Sequence, residues 1–209
     1  MSKKTCMLYR EVKDILSPSI SRKNISDYKI IFREDLSPVQ IYYPNIDVEL
    51  DKISIYIHGR EICSDLYEEY ALKTNNIVIL IDYSKETYLE DLDLIVNYII
   101  KELHKAKISY KSISLVGDFT GSDIIFELSS KIDKKIFDEM DKILISPIED
   151  DLSKYEFSNT LVLSNNEEQV SNDKMEYHLL KESLYDFIHD MDIVTNEKIY
   201  KYILDFIER

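Results

Sequence analysis

The 209-residue chain contains three glycines, and they fall in two short stretches, His58-Gly59-Arg60 and Gly117-Asp118-Phe119-Thr120-Gly121. Glycine tolerates positive φ and the close approach of another backbone, so a chain this poor in it keeps it where no side chain fits. Each stretch directly follows an apolar, β-branched run, Ile53-Ser54-Ile55-Tyr56-Ile57 and Ile113-Ser114-Leu115-Val116. Both read as turns at the carboxyl ends of buried strands, the edge at which open α/β sheets bind ligands.

The rest of the chain supplies partners for those strands. Tyr28 to Phe32 and Val39 to Tyr43 are apolar and aromatic and flank Arg33-Glu34-Asp35-Leu36-Ser37-Pro38, which predicts an antiparallel hairpin. Ile77 to Ile81, Ile143 to Ile145 and Leu161 to Ser164 are further buried strands. A helix is expected from Ser64 to Lys73, and Leu89, Leu92, Ile95, Val96, Ile99, Ile100 and Leu103 form a 3.6-residue stripe over Tyr88 to Leu103. Helices are also expected over Ser122 to Lys131, Asn172 to Lys181 and Asn196 to Ile207, with a short strand near Leu184. Residues 5–16 form a mixed amphipathic helix candidate within a weakly specified arm, 1–26. Strands alternate with helices, which predicts an α/β fold: a twisted, mostly parallel, doubly wound sheet with helices on both faces.

At 24.7 kDa and 44% hydrophobic residues, with nothing that reads as a linker, residues 1–209 are expected to form one domain. A net charge of −14 repels phosphate backbones and anionic head groups, which argues against nucleic acid or a membrane surface as partner. Lys3 and Lys4 are followed by no apolar signal region, and no run approaches the ~18 apolar residues of a membrane span, so the cytoplasm is the expected location. Cys6 and Cys63 stand alone, outside any metal-ligand spacing, and nothing in the sequence calls for a metal or cofactor. His104 and His178 read as surface residues on polar helix faces, and most of the 16 tyrosines read as amphipathic cover for the core.

Gly117-x-x-x-Gly121 has the outline of the G-x-S-x-G nucleophile elbow, a sharp strand-to-helix turn that lifts a serine above a sheet. Its middle residue here is Phe119, whose benzyl group has neither a proton to give up nor a lone pair to attack with. Five further segments stand in a matching order. They are Ile41-Tyr42-Tyr43-Pro44, Tyr56-Ile57-His58-Gly59, Ile79-Leu80-Ile81-Asp82-Tyr83 with Leu89-Glu90-Asp91 after it, Leu144-Ile145-Ser146-Pro147, and Asp186-Phe187-Ile188-His189-Asp190. From Tyr42 onward the chain resembles a shortened α/β-hydrolase of the acetyl-esterase and hormone-sensitive-lipase type. In that resemblance the segments correspond to the Tyr-x-Pro strand, the His-Gly-Gly-Gly oxyanion turn, the Val-Asp-Tyr strand and following helix, a later sheet strand, and the catalytic-histidine loop.

The resemblance implies a carboxylesterase-like fold with a minimal cap or none, and it implies roles for individual residues. Phe119 stands at the nucleophile position between Gly117 and Gly121, and His58, Gly59, Arg60 and Thr120 form the oxyanion turn. His189 stands at the base and Glu168 at the acid, with Glu167 or Asp173 as the acid if the loop is shifted. Departures matter as much: Arg60 and Glu61 replace glycines, and Ser122 replaces another. Ser122, Thr120 and Cys63 are the alternative nucleophiles that His189 could serve. Two functions follow as expectations. One is a non-catalytic relative that binds a small ligand or a protein; the other is a weak or unconventional esterase.

Overall fold

The computed structural model describes residues 29–33, 36–42, 52–59, 64–81, 92, 96–97, 100, 112–167, 169, 173–180 and 193–209. Its centre is an eight-stranded sheet made of β1 (Lys29–Arg33), β2 (Leu36–Tyr42), β3 (Lys52–Ile57), β4 (Ile77–Ile81), β5 (Ser112–Asp118), β6 (Asp141–Ile145), β7 (Thr160–Ser164) and β8 (Met175–Leu179), in the order β1-β2-β4-β3-β5-β6-β7-β8. β1 pairs with β2, and β2 with β4, antiparallel. The strands from β4 to β8 are parallel. β5 lies in the middle of the sheet, and the expected hairpin and parallel order are both present.

Successive side chains of a strand point to opposite faces, and here each face has its own core. Ile53, Ile55, Ile57, Ile77, Ile79, Ile81, Ile113 and Leu115 lie on one face, against Ile124, Ile125, Phe126 and Leu128 of α2 (Thr120–Leu128) and Phe137 of α3 (Lys134–Glu139). Leu92, Val96 and Ile100 belong to the same cluster and lie in helical backbone, as the stripe through them predicts. The other face carries Tyr56, Val78, Leu80, Val116, Ile143, Ile145, Leu161 and Leu163. It packs against α1 (Ser64–Thr74) and α4 (Ile193–Ile207) through Leu66, Tyr67, Tyr70, Ile199, Tyr200 and Ile203. Burial on both faces explains why the strands read as continuous apolar runs.

Several expectations change at this level. Met175 to Leu179 is a strand paired in parallel with Thr160 to Ser164, where Asn172 to Lys181 predicts a helix. The segment's five residues gain a ladder along the otherwise open side of β7, and tertiary pairing overrides a weak local preference. His178 therefore sits on a strand, stacked on Tyr202 at 4.0 Å with Nε2 2.7 Å from Glu176 Oε1. Tyr42, Tyr56, Tyr67 and Tyr70 are core residues rather than cover, each 1% exposed or less, with Tyr56 edge-on to Tyr67 at 4.9 Å and to Tyr70 at 5.6 Å. α3 was not foreseen, although its N-cap was legible: the Asp133 carboxylate accepts the N–H groups of Lys135 at 3.0 Å and Ile136 at 3.2 Å. α4 begins at Ile193, three residues before the expected Asn196. The strand expected near Leu184 and the helix expected over residues 5–16 lie outside the described residues. Among the described residues no helix is long and apolar enough to cross a membrane.

Candidate functional site

β5 runs into α2 with one residue between them. Phe119 is that residue, the N-cap of α2, with φ 46° and ψ −121°. A bulky side chain at positive φ costs on the order of 1–3 kcal/mol and persists only where surrounding structure over-determines it. Here the surroundings do so by hydrogen bonds and by space. The Phe119 N–H donates to the Ile145 carbonyl on the neighbouring strand at 2.8 Å, and its own carbonyl accepts the N–H groups of Ser122 at 3.0 Å and Asp123 at 3.4 Å.

Space is controlled by the three glycines, which interlock. A Cβ on Gly121 would lie 2.0 Å from the Ile57 carbonyl oxygen; one on Gly59 would lie 2.1 Å from the Asp118 carbonyl oxygen; and one on Gly117 would lie 2.6 Å from the Gly121 carbonyl. None of the three has positive φ. Of the two uses of glycine, close approach is the one the fold exploits, and the left-handed conformation falls to Phe119.

Two elbow side chains then fasten the turn after β3. Asp118 is 1% exposed, and its carboxylate accepts the Tyr56 hydroxyl at 3.1 Å and the Gly59 N–H. Burial, and after it the Asp118 charge, pushes the Tyr56 phenol well above its ordinary value of 10.0, so Tyr56 remains a neutral donor. Thr120 Oγ1 donates to the Gly59 carbonyl at 2.7 Å. Both backbone groups of Gly59 are thus held from the elbow, and His58, 8% exposed, is buried beside them at the end of β3.

Of the residues singled out in the sequence, the structure brings His58, Gly59, Gly117, Phe119, Thr120 and Gly121 together at one edge of the sheet. Ser122 is fully buried, its Oγ donating to the Gly117 carbonyl at 2.7 Å and accepting the Ile145 N–H at 3.2 Å, so it ties the first turn of α2 to the sheet rather than facing the apex. The Thr120 hydroxyl is committed to Gly59. Arg60, Cys63, Glu168 and His189 lie outside the described residues. Glu167 and Asp173 are exposed. Between them Gln169 is buried, its Nε2 donating to the Glu149 carbonyl at 2.7 Å. The sequence reading assigns no role to Asp118, which the structure places at the centre of the two turns; its signal is its position between Gly117 and the apex. Among the described residues no group of three or more His, Cys, Asp or Glu side chains could hold a metal ion.

No protein-family model matches the chain, and no curated protein matches it. Solved structures do. A Francisella virulence factor, BioJ, is 12% identical with a TM-score of 0.64 over 97% of this chain and 90% of that one. EstE5 soaked with p-nitrophenyl butyrate is 10% identical with a TM-score of 0.61 over the whole of both chains. Thermogutta terrifontis esterase 2 phosphonylated by sarin is 10% identical with a TM-score of 0.61 over 90% of this chain and 96% of that one. With its parallel sheet, its helices on both faces and the sharp turn from β5 into α2, the chain has the α/β-hydrolase fold.

Proposed function

We propose that this chain is a relative of the acetyl-esterase and hormone-sensitive-lipase carboxylesterases that has given up serine-ester hydrolysis and serves in binding a small ligand or a protein partner. The observation that carries the reading is Phe119 itself, a side chain without a nucleophilic atom held at φ 46° between β5 and α2. Its ring is 8% exposed and belongs to the core cluster of Val116, Ile145 and Leu163, so apolar surface stands where an attacking hydroxyl is needed. Loss of the nucleophile removes most of the rate in such triads while leaving the fold available for binding. The engagement of Ser122 and Thr120 by backbone carbonyls speaks against either of them as a substitute.

Purified protein incubated with short p-nitrophenyl esters is expected to release p-nitrophenol no faster than buffer. Saturable turnover that survives repurification and disappears in a Ser122→Ala, Thr120→Val or Cys63→Ala protein would establish the unconventional-esterase reading in its place.

A further inference from the structure

β8 is the last strand of the described sheet, paired on one side with β7. Which of its backbone groups face away from β7 follows from the Leu180 N–H, which donates to the Ser164 carbonyl at 2.7 Å, and from the parallel register that sets Ser164 beside Leu179. Backbone groups of successive residues alternate sides along a strand. Glu176, His178 and Leu180 therefore turn their N–H and C=O groups toward β7, while Met175, Tyr177 and Leu179 turn theirs outward. An outward row of this kind is a template for a further strand.

The side chains make that edge complementary to itself. In an antiparallel pair of β8 strands related by a two-fold axis at Tyr177, all five residues of each strand are paired, Met175 stands opposite Leu179, and Glu176 stands opposite His178. A carboxylate then meets an imidazole on both sides of the axis, and Leu179, 40% exposed, meets an apolar partner. Moving the axis to Glu176 sets two carboxylates against each other, and moving it to His178 leaves Met175 and Glu176 beyond the ladder. Like charges directly opposite destabilise a pair of strands, and unlike groups support it. Glu176 and His178 are already held in place on the α4 face, with His178 stacked on Tyr202 at 4.0 Å and its Nε2 2.7 Å from Glu176 Oε1.

We propose that this chain forms a homodimer in which β8 pairs antiparallel with β8 of a second copy about an axis at Tyr177, continuing the sheet from one copy into the other. The outward N–H and C=O of Tyr177 bond their counterparts, and those of Met175 bond those of Leu179, so every outward group of the strand is satisfied. The occupant is a second copy because the complementarity is to the strand's own sequence, and a two-fold pairing uses both β8 edges and closes the assembly at a dimer. A five-residue strand makes a small interface and each copy carries a net charge of −14, so the association is reversible and depends on concentration.

Sedimentation velocity of the full-length chain over a rising concentration series is expected to show a monomer–dimer equilibrium. Leu179→Pro removes an outward N–H that β7 does not use, and is expected to weaken dimerisation roughly tenfold or more with an unchanged circular dichroism spectrum. His178→Glu sets carboxylates opposite each other and is expected to weaken it as well, and combining His178→Glu with Glu176→His is expected to restore it. The register is read by oxidative cross-linking in a chain whose Cys6 and Cys63 are replaced by serine. Tyr177→Cys places the paired Cα atoms about 5.5 Å apart, within reach of a disulfide, and is expected to give a covalent dimer. Leu179→Cys, four residues out of line with its own counterpart, is expected to give none. A monomer at every concentration, growth past the dimer into open polymers as a β8-to-β1 pairing would give, a dimer that Leu179→Pro leaves intact, or cross-linking through Leu179→Cys in place of Tyr177→Cys would each overturn the proposal.

Discussion

The amide of Gly59 donates to the buried carboxylate of Asp118, 59 residues further along the chain, and the Tyr56 hydroxyl donates to the other oxygen of the same group. One side chain thereby fixes the turn after β3 against the turn after β5. Replacing it with alanine deprives the buried Tyr56 hydroxyl and the half-buried Gly59 N–H of this acceptor, at about 1–3 kcal/mol each. Asp118→Ala is expected to lose about 2–5 kcal/mol in urea unfolding. Tyr56→Phe, which removes one donor and leaves the acceptor satisfied by Gly59, is expected to lose less than half as much. Equal losses would show that Asp118 does not couple the two turns.

Gly121 is the second residue of α2, where intrinsic helix propensity favours alanine by about 1 kcal/mol. Space decides the other way, because the added Cβ would meet the Ile57 carbonyl oxygen at 2.0 Å and its carbon at 2.9 Å, both backbone atoms that cannot swing aside. Gly121→Ala is expected to cost about 3 kcal/mol or more, read as a lowered urea midpoint. A neutral or stabilising result would mean that β3 and α2 do not pack as closely as described.

Lys142 has no exposed surface, and its ammonium is held by the carbonyls of Phe137 at 2.9 Å and Met140 at 2.7 Å, under the Phe137 ring at 4.9 Å. Burial lowers its pKa from 10.5 to about 8, against the opposing pull of Asp138 and Asp141. Between those two values the unfolded chain keeps a proton that the folded chain has released, so stability rises with pH through that window, by on the order of 3 kcal/mol when complete. The buried phenols of Tyr56, Tyr70 and Tyr200 are raised by burial and act in the opposite sense above pH ~10. The comparison is therefore made over pH 7.5 to 9.5: wild type is expected to gain stability relative to Lys142→Met as pH rises. A parallel pair of curves would place the Lys142 amine in contact with solvent.

Phe119→Ser removes a ring that is 8% exposed, at about 3–5 kcal/mol for the lost packing. The folded state is expected to survive because the glycine interlock and the Asp118 bonds do not involve the ring. Circular dichroism and the thermal midpoint check this. Ester hydrolysis by the variant is expected to stay poor, since Arg60 and Glu61 stand where the resemblance places oxyanion glycines. Robust hydrolysis would show that only the nucleophile had been lost.

Much of this arrangement was legible in the sequence because it depends on local pattern. Runs such as Ile77 to Ile81 announce doubly buried strands, and Leu92, Val96 and Ile100 announce a helix face. The glycines marked the site because the chain uses them nowhere else. What escaped depends on distant partners. Met175 to Leu179 becomes a strand only beside β7; the burial of Lys142 depends on carbonyls at the end of α3; and Ser146, at φ 51°, gives its N–H to the Leu163 carbonyl of the next strand. Asp118 could be placed next to the apex, but the donors described for it, Tyr56 and Gly59, come from the neighbouring strand and the turn after it.

The central claim is that the apex of the elbow carries no nucleophile and that no other hydroxyl has replaced it. Intact-mass measurement of the wild-type chain after prolonged exposure to a fluorophosphonate tests this without requiring any knowledge of the natural ligand. The expected result is an unchanged mass for the whole population under conditions that label an active serine esterase completely. A stoichiometric adduct mapped to any serine, threonine or cysteine of the chain would contradict the claim.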